Sequence, residues 1–517
     1  MNLRVGLIGD SPGWEELLRQ EGVPFGTVTP GDADPAGCSA IVVCRRLSGD
    51  EASFLREFLR SGGAFIGYAG YLPGLAEGAA APFRIRYLEP GGHPVLPGLS
   101  LMDVEYDGLL PREANCLRTE DNVFAAFVGE MHGGWGVVTP FDPGLAMEDF
   151  RAAERYFYAR PERLPSERVS RVAKGEVLHL VHAALQHLHH VRGLPYAHLA
   201  QFPAGCSSVF ALRIDSDAGT REEVNRLAAI AREYGIGFSW FVDAGSHEGW
   251  LRRFAELPGH EVGLHCYQHR IFLDASKDAA NVRRGLDAMR DAGVPVRAFA
   301  APFGFWSPDL GRTLDDAGFA YSSEFGWAYD TLPHRPVIGG GRFKTLQVPV
   351  HPVSIGNLRK AGFTPAQMRT YFADVTARKL SRGEPLFFYH HPGHHEWGVV
   401  RAFCELAISR QALPMTLGRF AEWWERRAGV TVQILIQGDT IETAPAGGSY
   451  AVDAACIVSR RGGETAEVGL GAAIPLKNLA WKQEQEFMAP ADIKRTREFD
   501  LRGAIGRQFT RLQRRFL

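Results

Sequence analysis

The sequence predicts an α/β protein made of a doubly wound α/β domain, a (β/α) barrel and a small β-rich C-terminal region. Strand and helix patterns alternate over the first part of the chain, alternate again over residues 205–430, and then give way to a hairpin pattern. A chain of 517 residues is long enough for several domains. The predicted domains are residues 1–200, 205–430, 431–475 and 476–517.

The first domain begins with apolar strand patterns, "LRVGLIG", "SAIVVCRRL" and "AFIGYAG", separated by helical patterns such as "DEASFLREFLRSGG". This alternation is typical of β-α-β crossovers. It resembles the class I glutamine-amidotransferase-like fold, in which a sharp turn after a strand carries a nucleophilic cysteine. Here the corresponding turn, "GYAGYLPG", offers Ala69. The sequence therefore predicts no amidotransferase chemistry and a structural or binding role for this domain.

A histidine-rich segment, "KGEVLHLVHAALQHLHHVRG", precedes the next alternating region. Its five histidines invite a metal-site interpretation, but the spacing distributes the rings around a helix and no acidic partner for them is evident nearby in sequence. We therefore interpret the segment as an amphipathic linking helix. The histidines are His179, His182, His187, His189 and His190.

Residues 205–430 contain about seven β-α units with clear helix starts. Thr220 and Glu223 have the spacing of a capping box. Thr364 followed by Pro365 has the order of an N-cap residue and a proline in the first helical position. Because no break in strand order is evident, the pattern favours a barrel over an open sheet.

Composition limits the class of protein. The net charge of −2 argues against a nucleic-acid binder, which would carry a basic excess. No run of about 18 uninterrupted apolar residues occurs, and the N-terminal strand pattern is too short for a signal peptide. The seven cysteines are scattered and form no CxxC, so neither a disulfide framework nor a cysteine-ligated zinc site is expected. These features favour a reducing cytoplasm.

The C-terminal region differs from the rest of the chain. "VTVQILIQGDTIET" alternates around a glycine-containing turn and predicts a β-hairpin. The tail is strongly basic, so it can lie on the inner, anionic face of a membrane or dock a partner protein, or it can be a solvated tail. Its basic residues are Lys494, Arg495, Arg497, Arg502, Arg507, Arg511, Arg514 and Arg515.

Two carboxylates interrupt an otherwise apolar strand in "ALRIDSDAG". Since side chains alternate along a strand, Arg213, Asp215 and Asp217 share one face. Burying such a row costs several kcal/mol unless the charges are paired or bind a metal. A lone pattern of this kind is also typical of a solvated strand end or a salt-bridged turn.

A pair of histidines, His265 and His269, follows a later strand in "HEVGLHCYQHR". Residues four apart on a helical turn face the same way, so both imidazoles could bind one ion. Two histidines and one carboxylate also leave coordination positions open, as a catalytic metal requires. The histidine pair is weak evidence alone, and the Asp pair at an earlier strand end of the same barrel strengthens it.

Four motifs occur in order within residues 205–430: "RIDSD", "HCYQH", "AAPFG" and "FFYHHPGH". In this set and order the segment resembles the polysaccharide deacetylases, the NodB-homology or carbohydrate-esterase-4 family. Members carry an Asp pair, an H-x-x-x-H, an R-x-P-[FY] turn and a late histidine after a hydrophobic strand. The resemblance implies a distorted (β/α) barrel and a hydrolase that removes an N-acetyl group from a sugar or glycan intermediate by attack of metal-bound water.

The resemblance also implies roles for individual residues. Asp217, His265 and His269 would bind a divalent metal, with zinc the expected ion, and Asp215 would be the base. His391 would protonate the departing amine; His390 is adjacent on the same strand, so only one of the two can face the site. The oxyanion would be held near Pro302 and Phe303.

The chain departs from the family pattern at three positions. Ser216 separates the two aspartates, and Cys266 stands where a serine or threonine is expected. Ala300 stands where the third motif normally has the arginine that orients the base. Arg213, on the same strand face as Asp215, could supply that charge instead.

Two other functions fit parts of the sequence. An allantoinase-like relative would hydrolyse another C–N bond on the same barrel. A non-catalytic glycan-binding pseudoenzyme would explain Ala300 and Ala69 as decayed sites. The retained charged cluster of Asp215, the two metal-site histidines and His391 favours an enzyme. A nucleotide-linked, lipid-linked or oligosaccharide precursor is an easier substrate than a mature cell-wall polymer, because no signal peptide is expected.

Overall fold

The structure is a computed structural model. It describes residues 1–30, 37–76, 82–90, 96, 98–160, 163–272, 274–445, 453–484, 487, 489–498 and 505. Among these residues no helix combines the length and the hydropathy needed to span a membrane.

The described residues of the first region form a nine-stranded mixed sheet, a separate two-stranded hairpin and four α-helices. The strands of the mixed sheet are β1 (Val5–Ile8), β2 (Phe25–Thr27), β3 (Ala40–Val43), β4 (Ala64–Tyr68), β5 (Phe83–Glu89), β6 (Met102–Gly108), β7 (Cys116–Thr119), β8 (Phe124–Met131) and β9 (Gly134–Thr139). The hairpin pairs β10 (Ala152–Tyr156) with β11 (Ser166–Ser170). The helices are α1 (Pro12–Glu21), α2 (Gly49–Arg60), α3 (Pro143–Met147) and α4 (Lys174–Val191).

The nine-stranded sheet is parallel in one half and antiparallel in the other. Its order is β2-β1-β3-β4-β9-β8-β7-β5-β6, with parallel pairing from β2 to β9 and antiparallel pairing beyond. Successive residues of the parallel strands face opposite cores: Val42 packs on the side of α1 and α4, whereas Val43 packs on the side of α2. Helices thus cover both faces, as a doubly wound arrangement requires.

Helix α4 is the histidine-rich segment, and one face of it is buried. Buried residues recur along this face from Lys174 to His189. The residues of the opposite face are half-buried: Glu176, His179, His182, Gln186, His187 and His190. This burial pattern is that of an amphipathic helix, and its role as a linker stays a prediction. The fold brings two carboxylates from elsewhere in the chain to this helix: His182 bonds Glu21 at 2.7 Å and His179 bonds Glu384 at 3.1 Å. The carboxylates that meet its imidazoles are distant in sequence and were not predicted.

The second region is a curled parallel sheet surrounded by helices. Its strands are β13 (Val209–Asp215), β14 (Ser239–Val242), β15 (Glu261–Leu264), β16 (Ala298–Phe299), β17 (Tyr321–Ser322), β20 (Leu346–Gln347), β21 (Leu386–His390) and β22 (Leu413–Pro414), with β18 (Val337–Ile338) and β19 (Gly341–Arg342) forming a separate hairpin. The helices are α5 (Arg221–Tyr234), α6 (Arg252–Ala255), α7 (Ala275–Asp291), α8 (Pro308–Ala317), α9 (Ile355–Lys360), α10 (Pro365–Ser381), α11 (Trp397–Ser409) and α12 (Leu417–Ala428).

The sheet order β20-β17-β16-β15-β14-β13-β21 follows the expected series of β-α units. The segment after β20 nearly joins the two edges, since the Val348 N–H donates to the Ser322 carbonyl and the His351 N–H donates to the Phe387 carbonyl, both at 2.8 Å. This is a curled half-barrel of parallel strands, in keeping with the predicted (β/α) barrel. Both predicted helix starts are present, with capping boxes at Thr220 and at Thr364.

The third region consists of two small sheets. Its strands are β23 (Val432–Gln437), β24 (Thr440–Pro445), β25 (Ala455–Arg460), β26 (Glu464–Gly469), β27 (Ala473–Pro475) and β28 (Lys482–Gln483). The predicted hairpin is β23 with β24, and Gly438 lies in its turn at φ 61°, a conformation that glycine adopts without steric cost.

Two segments that precede the barrel in sequence pair with these C-terminal sheets. Strand β12 (Tyr196–Leu199) pairs antiparallel with β25, and the Leu3 N–H donates to the Ile434 carbonyl at 2.8 Å. The predicted domain boundaries stay predictions, but these pairings connect the regions on either side of them.

The first residues of the basic tail pack on the same chain. Lys494 pairs with Glu89 at 2.8 Å, Arg495 donates to the Ala159 carbonyl, and the guanidinium of Arg497 pairs with Asp103. The remaining basic residues of the tail lie outside the described residues: Arg502, Arg507, Arg511, Arg514 and Arg515.

A buried ion network fastens α10 to the start of β21. The ammonium of Lys379 contacts Asp330 at 2.8 Å and Glu384 at 3.0 Å, and its side chain is 2% exposed. Burial by itself raises the pKa of Glu384, but the charges of Lys379 and Arg382 outweigh this effect and lower it to about 2. This network therefore stabilises the fold only while the carboxylates are ionised.

Replacing Lys379 by methionine should lower the free energy of unfolding by about 3–5 kcal/mol near neutral pH, because two buried carboxylates lose the ammonium that contacts both of them. The folded-state pKa of Glu384 is depressed, so this stabilisation exists above its ordinary pKa of 4.5 and disappears as the pH falls toward about 2. Urea unfolding at several pH values would measure both effects. The exposed Lys360, replaced in the same way, is the control. An equal loss of unfolding free energy at neutral and at low pH would contradict an ionic origin of the stabilisation.

Candidate functional site

The predicted site residues converge at the carboxyl ends of the curled sheet. Asp215 is the last residue of β13, His265 follows β15, and His391 follows β21. Pro302 and Phe303 form a short 3-10 turn just after β16. Active sites of parallel barrels lie at this edge, because the loops that follow the strands meet there.

Arg213 and Asp215 form a buried bidentate ion pair along one face of β13. Arg213 Nε donates to Asp215 Oδ1 at 2.6 Å and Nη2 donates to Oδ2 at 2.5 Å. The guanidinium lies between the rings of Phe241 and Tyr389 from the neighbouring strands and also donates to the Ser323 carbonyl. Burial alone raises the pKa of Asp215, but the Arg213 charge outweighs it and holds that pKa below its usual value.

Asp217 lies between the imidazoles of His265 and His269. Its Oδ1 is 3.5 Å from His265 Nε2 and 3.3 Å from His269 Nε2. One donor atom from each residue falls within 4.8 Å of the other two. The Oδ1 atom is buried without a hydrogen-bond partner among the described residues. Two imidazoles and one orphaned carboxylate oxygen are the donor set that suits a divalent metal with open coordination positions.

The backbone prepares His265 for this role. Its Nδ1 lies 2.6 Å from the Ala300 carbonyl, so Nδ1 carries the proton and Nε2, which faces Asp217, is free to bind. Ala300 therefore contributes its carbonyl oxygen to the site, although the family arginine is absent from this position. Burial and the charge of His265 lower the pKa of His269 to about 4, which keeps that ring neutral at neutral pH.

The loop around His265 and His269 is not helical. The expectation of a helical turn is wrong, because the described residues between β15 and α7 contain no helix and Cys266 adopts a left-handed backbone with φ 65°. This bend still brings the two ring centroids to 5.0 Å. Asp217 at φ 43° and Phe303 at φ 60° are left-handed as well. Non-glycine residues rarely adopt this conformation, which costs roughly 1–2 kcal/mol each.

Ser216, between the two aspartates, faces the other way and fixes the loop. Its Oγ accepts from the Asp243 N–H at 3.0 Å and lies 2.9 Å from His247 Nε2. The inserted serine therefore lets both carboxylates face the site and anchors the turn to the segment after β14.

Of the two adjacent histidines, His391 faces the carboxylates. Its Nε2 lies 3.7 Å from Asp217 Oδ2 and 4.0 Å from Asp215 Oδ2. Both ring nitrogens of His390 are buried without a hydrogen-bond partner in the part of the chain that the structure describes. Burial holds the pKa of His390 well below its usual value. This placement agrees with the strand alternation that separates the two residues.

Phe303 forms the exposed wall of the site. Its side chain is 42% exposed, and its ring stands edge-on to His269 with centroids 4.9 Å apart. Pro302 is buried beneath it.

Two further residues at the site were not predicted from the sequence. Asp243 follows β14 directly; its Oδ1 is buried without a partner among the described residues, and burial raises its pKa. His394 lies with its ring centroid 4.5 Å from that of His391. Asp243 could have been found from the sequence, because it follows a predicted strand in "FVDAG". The position of His394 could not, because it depends on how the "HHPGHH" turn folds.

Comparisons with known proteins cover the segment that holds most of these residues, although His391 and His394 lie beyond it. The polysaccharide deacetylase family model matches residues 208–322. A probable polysaccharide deacetylase from Pseudomonas aeruginosa PAO1 is similar in structure, with 15% identity, coverage of 44% of this chain and 93% of that chain, and a TM-score of 0.39.

Two further solved structures are similar over 40–44% of the chain. The Puue allantoinase is 16% identical and covers 44% of this chain and 92% of its own, with a TM-score of 0.38. A family 4 carbohydrate esterase from Streptomyces lividans, in complex with acetate, is 14% identical over 40% of this chain and 92% of its own, with a TM-score of 0.30. The amidotransferase resemblance of the first region stays a prediction. The family match shows that the chain contains a polysaccharide deacetylase domain at residues 208–322, which makes the protein a hydrolase.

Proposed function

We propose that the protein is a metal-dependent hydrolase that removes an N-acetyl group from a sugar or glycan intermediate. The observation that carries this proposal is the arrangement around Asp217. A three-residue donor set for a divalent ion lies at the carboxyl edge of the sheet, with Asp215 and His391 on adjoining sides. A nucleophile, its base and an acid for the leaving group are what hydrolysis of an amide needs.

Asp217, His265 and His269 would hold the divalent ion, and zinc suits their nitrogen and oxygen donors. When bound there, such an ion polarises the acyl carbonyl and lowers the pKa of water toward neutrality. The chain prepares for this charge with the free Nε2 of His265 and the neutral ring of His269.

Asp215 takes the proton from the attacking water. A base must be ionised before it can accept a proton, and the Arg213 charge holds Asp215 in that form despite its complete burial. The bidentate geometry also fixes the carboxylate plane. Arg213 is thus a positioning residue that takes over the role of the arginine missing at Ala300.

His391 delivers a proton to the departing nitrogen. It is near both carboxylates and its side chain is 17% exposed, so it can reach a bound substrate from the solvent side. The oxyanion would be held by the backbone N–H of Phe303. The exposed Phe303 ring offers an apolar surface against which a sugar ring can stack.

Release of acetate from N-acetylated sugars tests the substrate class. Nucleotide-linked, lipid-linked and oligosaccharide N-acetylhexosamines are offered to zinc-loaded and to chelator-stripped protein. The proposal predicts zinc-dependent release of acetate together with a free amine. Zinc-dependent hydrolysis of a ureide such as allantoin, without acetate release, would favour the allantoinase-like alternative. Binding of the glycans without turnover would favour a glycan-binding pseudoenzyme.

Replacing His391 by glutamine should lower kcat for amides by about 10²-fold or more, because the amine then leaves without a proton donor. The metal content should not change. An aryl acetate ester, whose leaving group needs no proton, should lose much less activity. Equal losses for amide and ester would contradict the role of His391 as the acid.

We also propose a cytoplasmic location, because all seven cysteines are free and six of them are buried. Carbohydrate is the proposed partner and nucleic acid is not. The basic tail beyond residue 498 remains proposed as a contact to an anionic membrane or a protein.

A further inference from the structure

We propose that Glu21, His182 and His198 form a second divalent-metal site, of the zinc class, outside the deacetylase domain. One donor atom from each of these residues lies within 4.8 Å of the other two. Asp217, His265 and His269 meet the same criterion with the same kinds of ligand. The inference does not depend on the proposed reaction, because no residue is shared between the two groups.

Three separate elements bring these ligands together. Glu21 is the last residue of α1, His182 lies in the middle of α4, and His198 lies on β12. Their sequence positions are far apart, so the site forms only when the elements have packed. The ion would therefore fasten the first sheet to β12, which in turn pairs with β25 of the C-terminal region.

Two of the three residues, His198 and Glu21, keep a donor atom available to a metal. His198 Nδ1 lies 2.9 Å from the Leu199 carbonyl, so Nδ1 carries the proton and Nε2 remains as the acceptor nitrogen. His265 in the deacetylase site has the same arrangement, with a backbone carbonyl at Nδ1 and Nε2 left as the acceptor nitrogen. The Glu21 carboxylate is completely buried, and its Oε2 has no hydrogen-bond partner among the described residues.

The charges also favour a cation. Glu21 Oε1 accepts from Tyr196 Oη at 2.5 Å and lies 2.7 Å from His182 Nδ1. These contacts place the buried carboxylate against a basic ring whose proton can be exchanged for a metal ion. A divalent ion would replace the proton on His182 and use both carboxylate oxygens.

The neighbouring Arg427 does not occupy the ligand position. Its guanidinium donates to backbone carbonyls, which belong to Arg19, Gln20, Glu21, Leu199 and Ala200. The side chain of His182 is 27% exposed, which leaves a path from solvent to the site.

Metal analysis of the full-length protein tests the site with Zn²⁺ as the probe. After zinc loading and removal of free ion, mass spectrometry counts the zinc bound per chain. The wild type should hold two ions, and His182→Gln and His198→Gln should each hold one. Tyr196→Phe is the matched control: it removes a hydrogen bond to Glu21 but no ligand, and it should keep both ions.

A second set of variants separates this site from the deacetylase site. The triple variant Asp217→Asn, His265→Gln and His269→Gln leaves Glu21, His182 and His198 intact and should still hold one ion. It should lose that ion when His182→Gln is added. A triple variant without zinc would overturn the proposal even if the variants at the new site failed to fold. The proposal would also be overturned if His182→Gln and His198→Gln bound as much zinc per chain as the wild type. A loss of activity without a loss of zinc concerns the deacetylase site and not the second metal site.

Discussion

Replacing Asp217 by asparagine is expected to remove one metal ion from each chain and to lower acetate release by about 10⁴-fold or more. The amide keeps the size of the side chain but cannot supply the anionic oxygen that lies between His265 and His269. The loss is large because the ion contributes both to the attacking water and to the charge that develops on the carbonyl oxygen.

Metal content and kcat/KM are measured on the same preparations. Asp309→Asn, which changes an exposed carboxylate paired with Arg312, is the control and should keep both properties. Full activity in Asp217→Asn with its zinc retained would contradict the proposed ligand set. Activity lost while the zinc content stays unchanged would contradict the ligand role of Asp217 alone.

Replacing Arg213 by methionine is expected to destabilise the protein by about 3–5 kcal/mol, because Asp215 stays buried without its partner. The stabilisation by the pair exists above the ordinary carboxyl pKa, since the folded pKa of Asp215 is depressed, and it disappears as the pH falls through the folded pKa. The difference in unfolding free energy between the wild type and the variant should therefore become smaller at acidic pH.

The same variant should change the pH dependence of the reaction. Without Arg213, burial raises the pKa of Asp215, so the acid limb of kcat/KM should move to higher pH while zinc stays bound. Arg401→Met breaks an exposed ion pair with Glu233 and should cost less than about 1 kcal/mol. An unchanged pH profile and full activity in Arg213→Met would contradict a positioning role for Arg213.

The convergence of the candidate site residues was predictable because strand periodicity and strand order constrain their positions. Alternation along β13 places Arg213 and Asp215 on one face, and the same rule separates His390 from His391. In a parallel barrel, polar residues that follow the strands meet at one edge, so widely separated motifs could be combined into one site.

The rest depended on loop geometry and on distant contacts. Neither the left-handed Cys266 nor the approach of His394 to His391 has a local sequence signal. The antiparallel half of the first sheet was not predicted, because residues 85–205 show no clear periodicity. The contact between His182 and Glu21 was not predictable either, since the two residues lie far apart in the sequence.

The pairing of Leu3 with Ile434 has a consequence for synthesis on the ribosome. The Leu3 N–H cannot reach its acceptor until the chain has been extended beyond residue 434, and β12 likewise waits for β25. Contacts of such long range close slowly, and an unpaired strand edge can aggregate in the meantime. Nascent chains truncated before residue 430 should therefore need chaperone protection that the completed chain does not.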